Sequence, residues 1–222
     1  MNDPNLPEGS IFLIDKPLEW TSFDVVKKLR NKLKVKKIGH AGTLDPLATG
    51  LLILCTGKMT KKINIIQDQP KEYTGTMVLG KTTASYDLET AIEEGGDIST
   101  LTPEVLNLLV PQFTGAIEQV PPIYSAVKVD GKRAYQKARD GEKMELKART
   151  QIVYSFELTE INLPEVKFKV NCSKGTYIRS LVHDFGQAAK TGAYLSELRR
   201  TKIGDYSVND AQSIDEVSNE SL

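Results

Sequence analysis

The order of strand-like and helix-like segments limits the possible folds more than any other feature of this chain. Segments with a two-residue apolar period, or with a short continuous apolar run, follow segments of helical period without regular alternation. This irregular order argues against a parallel α/β sheet and predicts an α+β fold. No linker interrupts residues 1–222, so we expect one domain. Strands are predicted at 10–16, 51–57, 71–80, 123–129, 150–162 and 165–173, and helices at 21–33, 58–68, 102–113 and 174–190.

Composition excludes several classes of protein. Apolar residues make up 40% of the 222 residues, and no apolar run approaches the length of a membrane span. The N-terminal residues lack the charged-then-apolar pattern of a secretion signal. The two cysteines, Cys55 and Cys172, are far apart and form no CxxC pair, which favours reduced, buried thiols. We therefore expect a cytoplasmic protein that is not bound to a membrane.

Charge is segregated along the chain although the net charge is zero. Residues 27–37 hold seven basic side chains and no acid, and residues 128–149 hold eight basic and four acidic side chains. Each basic run alone is typical of a solvated helix face. Two such runs in one chain make a polyanionic partner an open hypothesis, because segregated charge creates local fields that the net sum hides.

The stretch "GHAGTLDPLATG", residues 39–50, encloses a single carboxylate, Asp45, among glycines, small residues and a proline. An aspartate before a proline often begins a helical turn, where its carboxylate accepts backbone N–H groups. Alternatively, the turn presents a reactive oxygen to a substrate. The stretch by itself leaves both interpretations open.

Five stretches together carry a resemblance to a known family. They are "DKPLEWTS", "GHAGTLDPLATG", "KEYTG", "VPPIYSAVKVDGKRAYQKAR" and "CSKGTYIRSL". In this order they closely resemble the TruB family of tRNA pseudouridine synthases, which isomerise the uridine at position 55 in the T arm of tRNA. The resemblance implies a pseudouridine synthase catalytic domain with a mixed, mainly antiparallel sheet flanked by helices. It also implies tRNA as partner, no metal or organic cofactor, no obligate protein partner and a monomeric state.

The resemblance assigns three catalytic residues. Asp45 matches the catalytic carboxylate of the family, which acts on the ribose or the base as nucleophile or as general base. Arg179 matches the arginine that pairs with this carboxylate and keeps it ionised. Arg179 lies off the apolar stripe of its helix, so a surface arginine is the alternative interpretation. Tyr73 matches the tyrosine that lies against the target uracil. The alternative interpretation of Tyr73 is an ordinary aromatic residue in a strand.

Further residues are assigned to substrate binding by the same resemblance. His40 matches a histidine that occupies the place in the base stack from which the target base has flipped out. Flipping the base costs a few kcal/mol. Tyr177 and Leu198 match positions that line the uridine pocket, although Leu198 fits a core position nearly as well. Lys16 suits a phosphate contact. Residues 120–150 match a basic insertion that closes over the T loop.

The sequence also departs from the family. Glu19 stands where the pattern DKPxGxTS has glycine, and we expect no C-terminal PUA domain, because the chain ends at residue 222. Three alternatives remain open. One is a guide-RNA-dependent synthase that acts on ribosomal RNA, and another is a non-catalytic tRNA-binding or folding module. The third is a glycosidase with paired carboxylates, for which Asp87 is the candidate second acid.

Overall fold

The computed structural model describes residues 9–218 except residues 126, 130 and 143, and the side chains at 128, 129 and 133 lie outside the description. The chain divides into two compact units. Unit 1 comprises the residues up to 73 and from 198 onward, and unit 2 comprises residues 74–197. No helix among the described residues is long and apolar enough to cross a membrane. The α-helices are α1 (Ser22–Leu33), α2 (Ile63–Gln67), α3 (Pro103–Leu109), α4 (Ala134–Arg139) and α5 (Ile178–Ala188), with short 3-10 helices at Gly57–Lys62, Val110–Phe113 and Val208–Asp210.

The strands confirm the predicted α+β class, because most of the pairings are antiparallel. β4 and β12 each continue from one unit into the other. The strands are β1 (Ile11–Lys16), β2 (Ile38–His40), β3 (Ala48–Thr56), β4 (Lys71–Leu79), β5 (Lys81–Thr83), β6 (Ile92–Glu94), β7 (Gly115–Gln119), β8 (Lys128–Val129), β9 (Lys132–Arg133), β10 (Arg149–Asn162), β11 (Glu165–Cys172), β12 (Ala193–Ile203) and β13 (Tyr206–Ser207).

Unit 1 is built around β3, which is buried along almost its whole length. Its strand order is β1, β3, β12, β4. β1 and β2 pair with β3 in antiparallel fashion, and β12 runs parallel to it. One face of β1 and β3 packs against α1, and the other face packs against α2 and the end of β12. Burial on both faces explains why the sequence of β3 is a continuous apolar run instead of an alternating one.

Helix α1 forms where the sequence predicts it. Thr21 and Asp24 form a complete capping box, in which the Thr21 hydroxyl accepts from the backbone N–H of Asp24 and the Asp24 carboxylate accepts from that of Thr21. Lys34 ends the helix in the left-handed conformation. Val25, Val26 and Leu29 are buried against β1 and β3, while the opposite face of the helix is exposed.

Unit 2 places α5 on a second part of the sheet, with strand order β12, β4, β11, β10, β7. The predicted apolar stripe of this helix is confirmed, since Ile178, Leu181, Val182 and Phe185 are all buried. Phe185 contacts the ring of Phe156 on β10 edge-on, with centroids 5.7 Å apart. This packing holds α5 against the sheet, and two of the predicted site residues lie at the beginning of the helix.

Several parts of the fold differ from the predictions. The basic segment of unit 2 contains the short helix α4, where only a polar loop was expected, and the strand predicted at 123–129 is reduced to Lys128–Val129. The short strands β2, β5, β6, β9 and β13 were not predicted, nor were the longer strands β7 and β12. β7 and β12 mix apolar and polar residues without strict alternation, because each is covered on part of its length only.

Candidate active site

Asp45 lies in a turn that joins β2 to β3. Its backbone carbonyl accepts a hydrogen bond from the N–H of Ala48 at 3.1 Å, and β3 begins at that residue. Residues 46 and 47 form a turn that leads into the strand, so Asp45 is not the N-cap of a helix. The hydrogen bond from Ala48 closes a single turn at Asp45, so the first interpretation, an aspartate that begins a turn, stays open. The half-exposed position of the side chain is compatible with the second.

A buried arginine holds the first half of this turn. Arg200 on β12 is 1% exposed, and its guanidinium donates to the carbonyl of Leu51 at 2.8 Å, of Gly42 at 3.1 Å and of Thr43 at 3.5 Å. β12 approaches so closely that a Cβ at Gly50 would lie 2.3 Å from the carbonyl oxygen of Arg200. Gly50 also has φ +99, so both space and backbone conformation require glycine at the end of the predicted motif.

Side chains from the first helical segment hold the second half of the turn. Ser22 at the start of α1 accepts from the N–H of Leu44 at 2.9 Å and donates to its carbonyl at 3.2 Å. The backbone N–H of Glu19 donates to the carbonyl of Pro46 at 2.9 Å. Each carbonyl from residue 42 to residue 46 thus has a partner within unit 1. The conformation of the turn is set by these backbone contacts.

Lys16 is part of the same support. Its side chain is fully buried, and Nζ donates to the carbonyls of Pro17 at 2.8 Å, Trp20 at 2.6 Å and Pro46 at 3.3 Å. Burial lowers the pKa of Lys16 to about 8, while the negative charge of Asp45 acts in the opposite direction. The ammonium group is therefore mostly protonated at pH 7. This arrangement does not fit the expected phosphate contact, because Nζ is enclosed and directed at backbone carbonyls.

We expect Arg200→Met to lower the free energy of unfolding by about 3 kcal/mol, because it leaves buried carbonyls of the turn without donors. The neighbouring Arg199 offers a matched control. It is half-exposed and pairs with Asp15 at 2.6 Å, so Arg199→Met should cost less than about 1 kcal/mol. Urea denaturation measures both values. Equal losses for the two variants would show that the guanidinium of Arg200 does not support the turn.

His40 ends β2 and precedes the turn. Burial lowers the pKa of its imidazole, the positive charge of Arg200 lowers it further, and a backbone hydrogen bond with Gly42 acts in the opposite direction. The ring is consequently neutral at pH 7. A neutral, flat ring suits stacking against a nucleobase better than it suits a phosphate contact.

Two further predicted residues lie on the strands of unit 1. Leu198 on β12 pairs directly with Ala48 of β3, three residues after Asp45, and its side chain is only half-buried. Tyr73 is buried on β4, which is the neighbour of β12 in the strand order. Lys16, His40, Asp45, Tyr73 and Leu198 all belong to unit 1.

Tyr177 and Arg179 lie at the beginning of α5 in unit 2. Tyr177 is the N-cap residue but provides no capping side chain. Its backbone is instead held on both sides by Gln119 of β7, whose amide donates to the Tyr177 carbonyl at 3.0 Å and whose oxygen accepts from the Tyr177 N–H at 2.7 Å. The first turn of α5, which includes Arg179, is therefore fixed in place.

Arg179 is not a surface residue, so the alternative interpretation of this position is wrong. It is 4% exposed, its Nη1 donates to the carbonyl of Ser85 at 3.3 Å, and its Nε lies 3.6 Å from Oδ2 of Asp87. Asp87 is 6% exposed, and its Oδ1 accepts from the N–H of Glu89 at 3.0 Å. Asp87 therefore serves as a partner of the buried guanidinium, and this engagement does not support its suggested role as a second glycosidase acid.

The segment before Asp87 contributes residues that the sequence analysis missed. Ser85 is fully buried and donates to the carbonyl of Asp87 at 3.1 Å. Tyr86 has φ +66, an uncommon conformation for an aromatic residue, and its ring stacks on His183 of α5 with centroids 3.9 Å apart. No local sequence pattern marks this group of residues. Its members matter because they contact α5, and that contact joins segments that are far apart in the sequence.

The basic insertion carries ion pairs of its own. Lys132 and Lys137 lie 3.7 and 3.8 Å from carboxylate oxygens of Glu142, and Arg139 lies 2.8 Å from Glu89. The side chains of Lys132 and Arg139 are exposed despite these pairs, while that of Lys137 is only 13% exposed. Within the described ranges, no group of three or more His, Cys, Asp and Glu side chains is arranged to hold a metal ion.

Comparison with known proteins agrees with this geometry. Residues 30–178 match the model of the "TruB family pseudouridylate synthase (N terminal domain)", and residues 179–222 match that of the "tRNA pseudouridylate synthase B C-terminal domain". The chain belongs to the TruB family. It is therefore an enzyme, an isomerase that makes pseudouridine, and the resemblance seen in the five stretches is confirmed.

Individual relatives extend over nearly the whole chain. The tRNA pseudouridine synthase B of Flavobacterium johnsoniae is 55% identical over 214 residues, which cover 93% of both chains. That of Phocaeicola vulgatus is 53% identical and covers 95% of this chain and 92% of its own. Among solved structures, a Cbf5–Nop10–Gar1 complex contains a chain with 34% identity and a TM-score of 0.70 over 90% of this TruB-family chain. The match spans 50% of that longer chain.

Proposed function

We propose that this TruB-family enzyme converts one uridine in the T loop of tRNA, at position 55, to pseudouridine, with Asp45 as the catalytic carboxylate. The observation that supports this most directly is the turn around Asp45. Its carbonyls from residue 42 to residue 46 are bound by Arg200, Ser22, Ala48, Glu19 and Lys16. Such a turn holds a carboxylate in a fixed position, and catalysis requires a positioned group.

The reaction needs little more than one ionised oxygen. The bond between C1′ and N1 breaks, the uracil turns, and C5 forms the new bond to C1′. The proton on C5 then leaves, and N1 gains a proton. A carboxylate can assist as nucleophile or as base toward the ribose. Lys16 places a buried positive charge on the protein side of the turn, within electrostatic reach of Asp45.

Arg179 and Tyr73 complete the proposed catalytic group. We assign Arg179 to pairing with Asp45, so that the carboxylate stays ionised when RNA excludes water from the site. Arg179 is buried, and Ser85 and Asp87 hold its guanidinium in a fixed position within unit 2. Tyr73, also buried, is assigned to stacking on the uracil and to assisting the departure of the proton from C5.

Access to the uridine requires that the base leave the stack of the T loop. We assign the neutral ring of His40 to the space that the base vacates, and Tyr177 and Leu198 to the walls of the uridine pocket. The half-exposed side chains of all three residues fit contact with RNA. The enzyme is proposed to act as a monomer without an obligate protein partner.

The function is tested by incubating the purified protein with unmodified T-arm RNA and mapping pseudouridine at single-nucleotide resolution. We expect product at one loop uridine and no product at stem uridines. Binding without product at any position would instead identify a non-catalytic RNA-binding module.

A guide-RNA-dependent synthase is the second candidate, and the similarity to a chain solved with Nop10 and Gar1 favours it. The relatives with at least 50% identity over more than 90% of this chain, which are named tRNA pseudouridine synthase B, favour the stand-alone enzyme. The two candidates differ in one measurement. Product formed from T-arm RNA by the protein alone supports the stand-alone enzyme, and product that appears only with added guide RNA supports the other.

The basic insertion is proposed to bind phosphates, which predicts a change in the salt dependence of RNA binding. Neutralising Lys132 and Lys137 as glutamines should reduce the slope of log K against log [salt] by about 1 to 2, because fewer counterions are released. Lys167→Gln is the matched control, since Lys167 is exposed and lies 2.7 Å from Glu160 in the same unit. An unchanged slope for the double variant would locate the RNA elsewhere. Arg133, expected to act with these lysines, has a side chain outside the description.

A further inference from the structure

A shallow pocket opens beside α1 in unit 1, and its lining contains none of the residues assigned to the reaction. It has a volume of about 400 Å³ and lies between the 17–21 loop and the exposed face of the helix. Its lining consists of one aromatic ring, two acidic and two basic side chains and one amide: Glu19, Trp20, Asp24, Lys27, Lys28 and Asn31.

Trp20 gives the pocket a rigid apolar wall. It is the only tryptophan of the chain. Its ring packs against the core formed by β1, β3 and α1, and its carbonyl accepts a hydrogen bond from Nζ of Lys16 at 2.6 Å. The residue is half-buried and forms part of the pocket lining. A fixed aromatic ring with one accessible side is the typical platform on which an unpaired nucleobase stacks.

The basic end of the pocket is suited to a phosphate. Lys27 and Lys28 are exposed, and neither forms an ion pair within the part of the chain that the structure describes. Asp24, whose carboxylate is held by the N–H and the hydroxyl of Thr21, offsets part of the charge of Lys27, which leaves Lys28 as the principal cation at this end. Asn31 adds an amide donor one helical turn later.

Glu19 forms the opposite end of the pocket. Its φ of +65 lies in the left-handed region, and its side chain is part of the lining. Its carboxylate accepts hydrogen bonds, and the amino and imino groups of guanine offer two adjacent donors. The backbone N–H of Glu19 also binds Pro46, which connects this pocket to the turn of Asp45.

We propose that this pocket binds one unpaired guanine nucleotide of an RNA strand outside the reaction site. The base stacks on Trp20, the phosphate lies against Lys27 and Lys28, and Glu19 accepts from the N1–H and the amino group of the base. Uracil has no amino group and a smaller ring system, so it binds more weakly. The proposal rests on the pocket and does not depend on the chemistry assigned to Asp45.

Because Trp20 is the only tryptophan, its fluorescence reports on this pocket directly. Titration of the full chain with guanosine 5′-monophosphate should give saturable quenching, and uridine 5′-monophosphate should bind roughly tenfold more weakly. A Lys27→Gln, Lys28→Gln variant should weaken the guanosine monophosphate complex about tenfold and leave the affinity for unphosphorylated guanosine unchanged. Free N-acetyltryptophanamide corrects for absorption by the nucleotide.

Three variants test whether the nucleotide binds in this pocket and through these contacts. Lys36→Gln, Lys37→Gln removes the same charge outside the pocket and should leave the affinity unchanged. Glu19→Gln should reduce the preference for guanosine over uridine monophosphate, while Asp45→Asn should keep the wild-type affinity. Quenching that is not saturable, or that weakens equally with both pairs of lysine substitutions, overturns the proposal. Loss of quenching in Asp45→Asn would also overturn it, because the nucleotide would then occupy the reaction site.

Discussion

Asp45→Asn is expected to abolish pseudouridine formation while folding and RNA binding remain nearly unchanged. Asparagine has almost the same shape, and the turn is held by backbone contacts that the substitution preserves. It carries no charge and is a poor nucleophile and base, so turnover should fall by at least about 10³-fold. The measurement is the rate of product formation under single-turnover conditions, together with filter binding of T-arm RNA and urea denaturation.

Asp205→Asn is the matched control for this prediction. Asp205 belongs to the same unit, is exposed and lies in the turn between β12 and β13, so the variant changes the net charge equally. It should retain wild-type turnover. If Asp45→Asn kept more than about a tenth of the activity, the carboxylate would have no essential chemical role.

Local elements of this fold were predictable because short-range interactions specify them. The capping box at Thr21 and Asp24 satisfies the N-terminus of α1, and it uses only residues within one turn of each other. The continuous apolar run of β3 and the stripe of α5 likewise follow from periodicity and burial. The turn around Asp45 was recognisable from its small residues and from the proline that follows the aspartate.

The support of the candidate site was not predictable, because it depends on residues that are distant in the sequence. Arg200 binds the carbonyls of Gly42 and Thr43 from a strand more than 150 residues later. Nothing in the local sequence distinguishes Arg200 from Arg199, which points outward and pairs with Asp15. Lys16 similarly reads as an accessible cation until the structure shows that Nζ is enclosed.

The pairing of Arg179 with Asp87 is also a contact between residues that are distant in the sequence. Substitution of Arg179 is the second change for which we expect a large loss of activity. Arg179→Ala should lower kcat by about 10² to 10³-fold, because it removes the charge assigned to the catalytic carboxylate. Under the proposed pairing, the acid limb of the pH–rate profile should move to higher pH, since the carboxylate would lose the stabilising charge of Arg179. Arg179→Lys keeps the charge but not the fork of donors, and should recover part of the activity.

Asp87→Asn tests the support of that guanidinium. The substitution preserves the acceptor for the N–H of Glu89 and replaces the charged oxygen near Nε of Arg179 with a neutral group. The free energy of unfolding should fall by about 1 to 3 kcal/mol, because a buried cation loses its counter-charge. We expect kcat to fall with little change in KM, since Asp87 acts on the position of Arg179 and not on the RNA.

The double variant distinguishes positioning from a separate catalytic role. If Asp87 acts only through Arg179, then Arg179→Ala combined with Asp87→Asn should be no slower than Arg179→Ala alone. Glu89→Gln is the control, because it removes an exposed ion pair with Arg139 in the same segment and should leave turnover unchanged. In the proposed order of action, Asp87 fixes the guanidinium, and the guanidinium acts on the carboxylate that performs the reaction. A double variant whose loss of kcat equals the product of the two single losses would contradict this order.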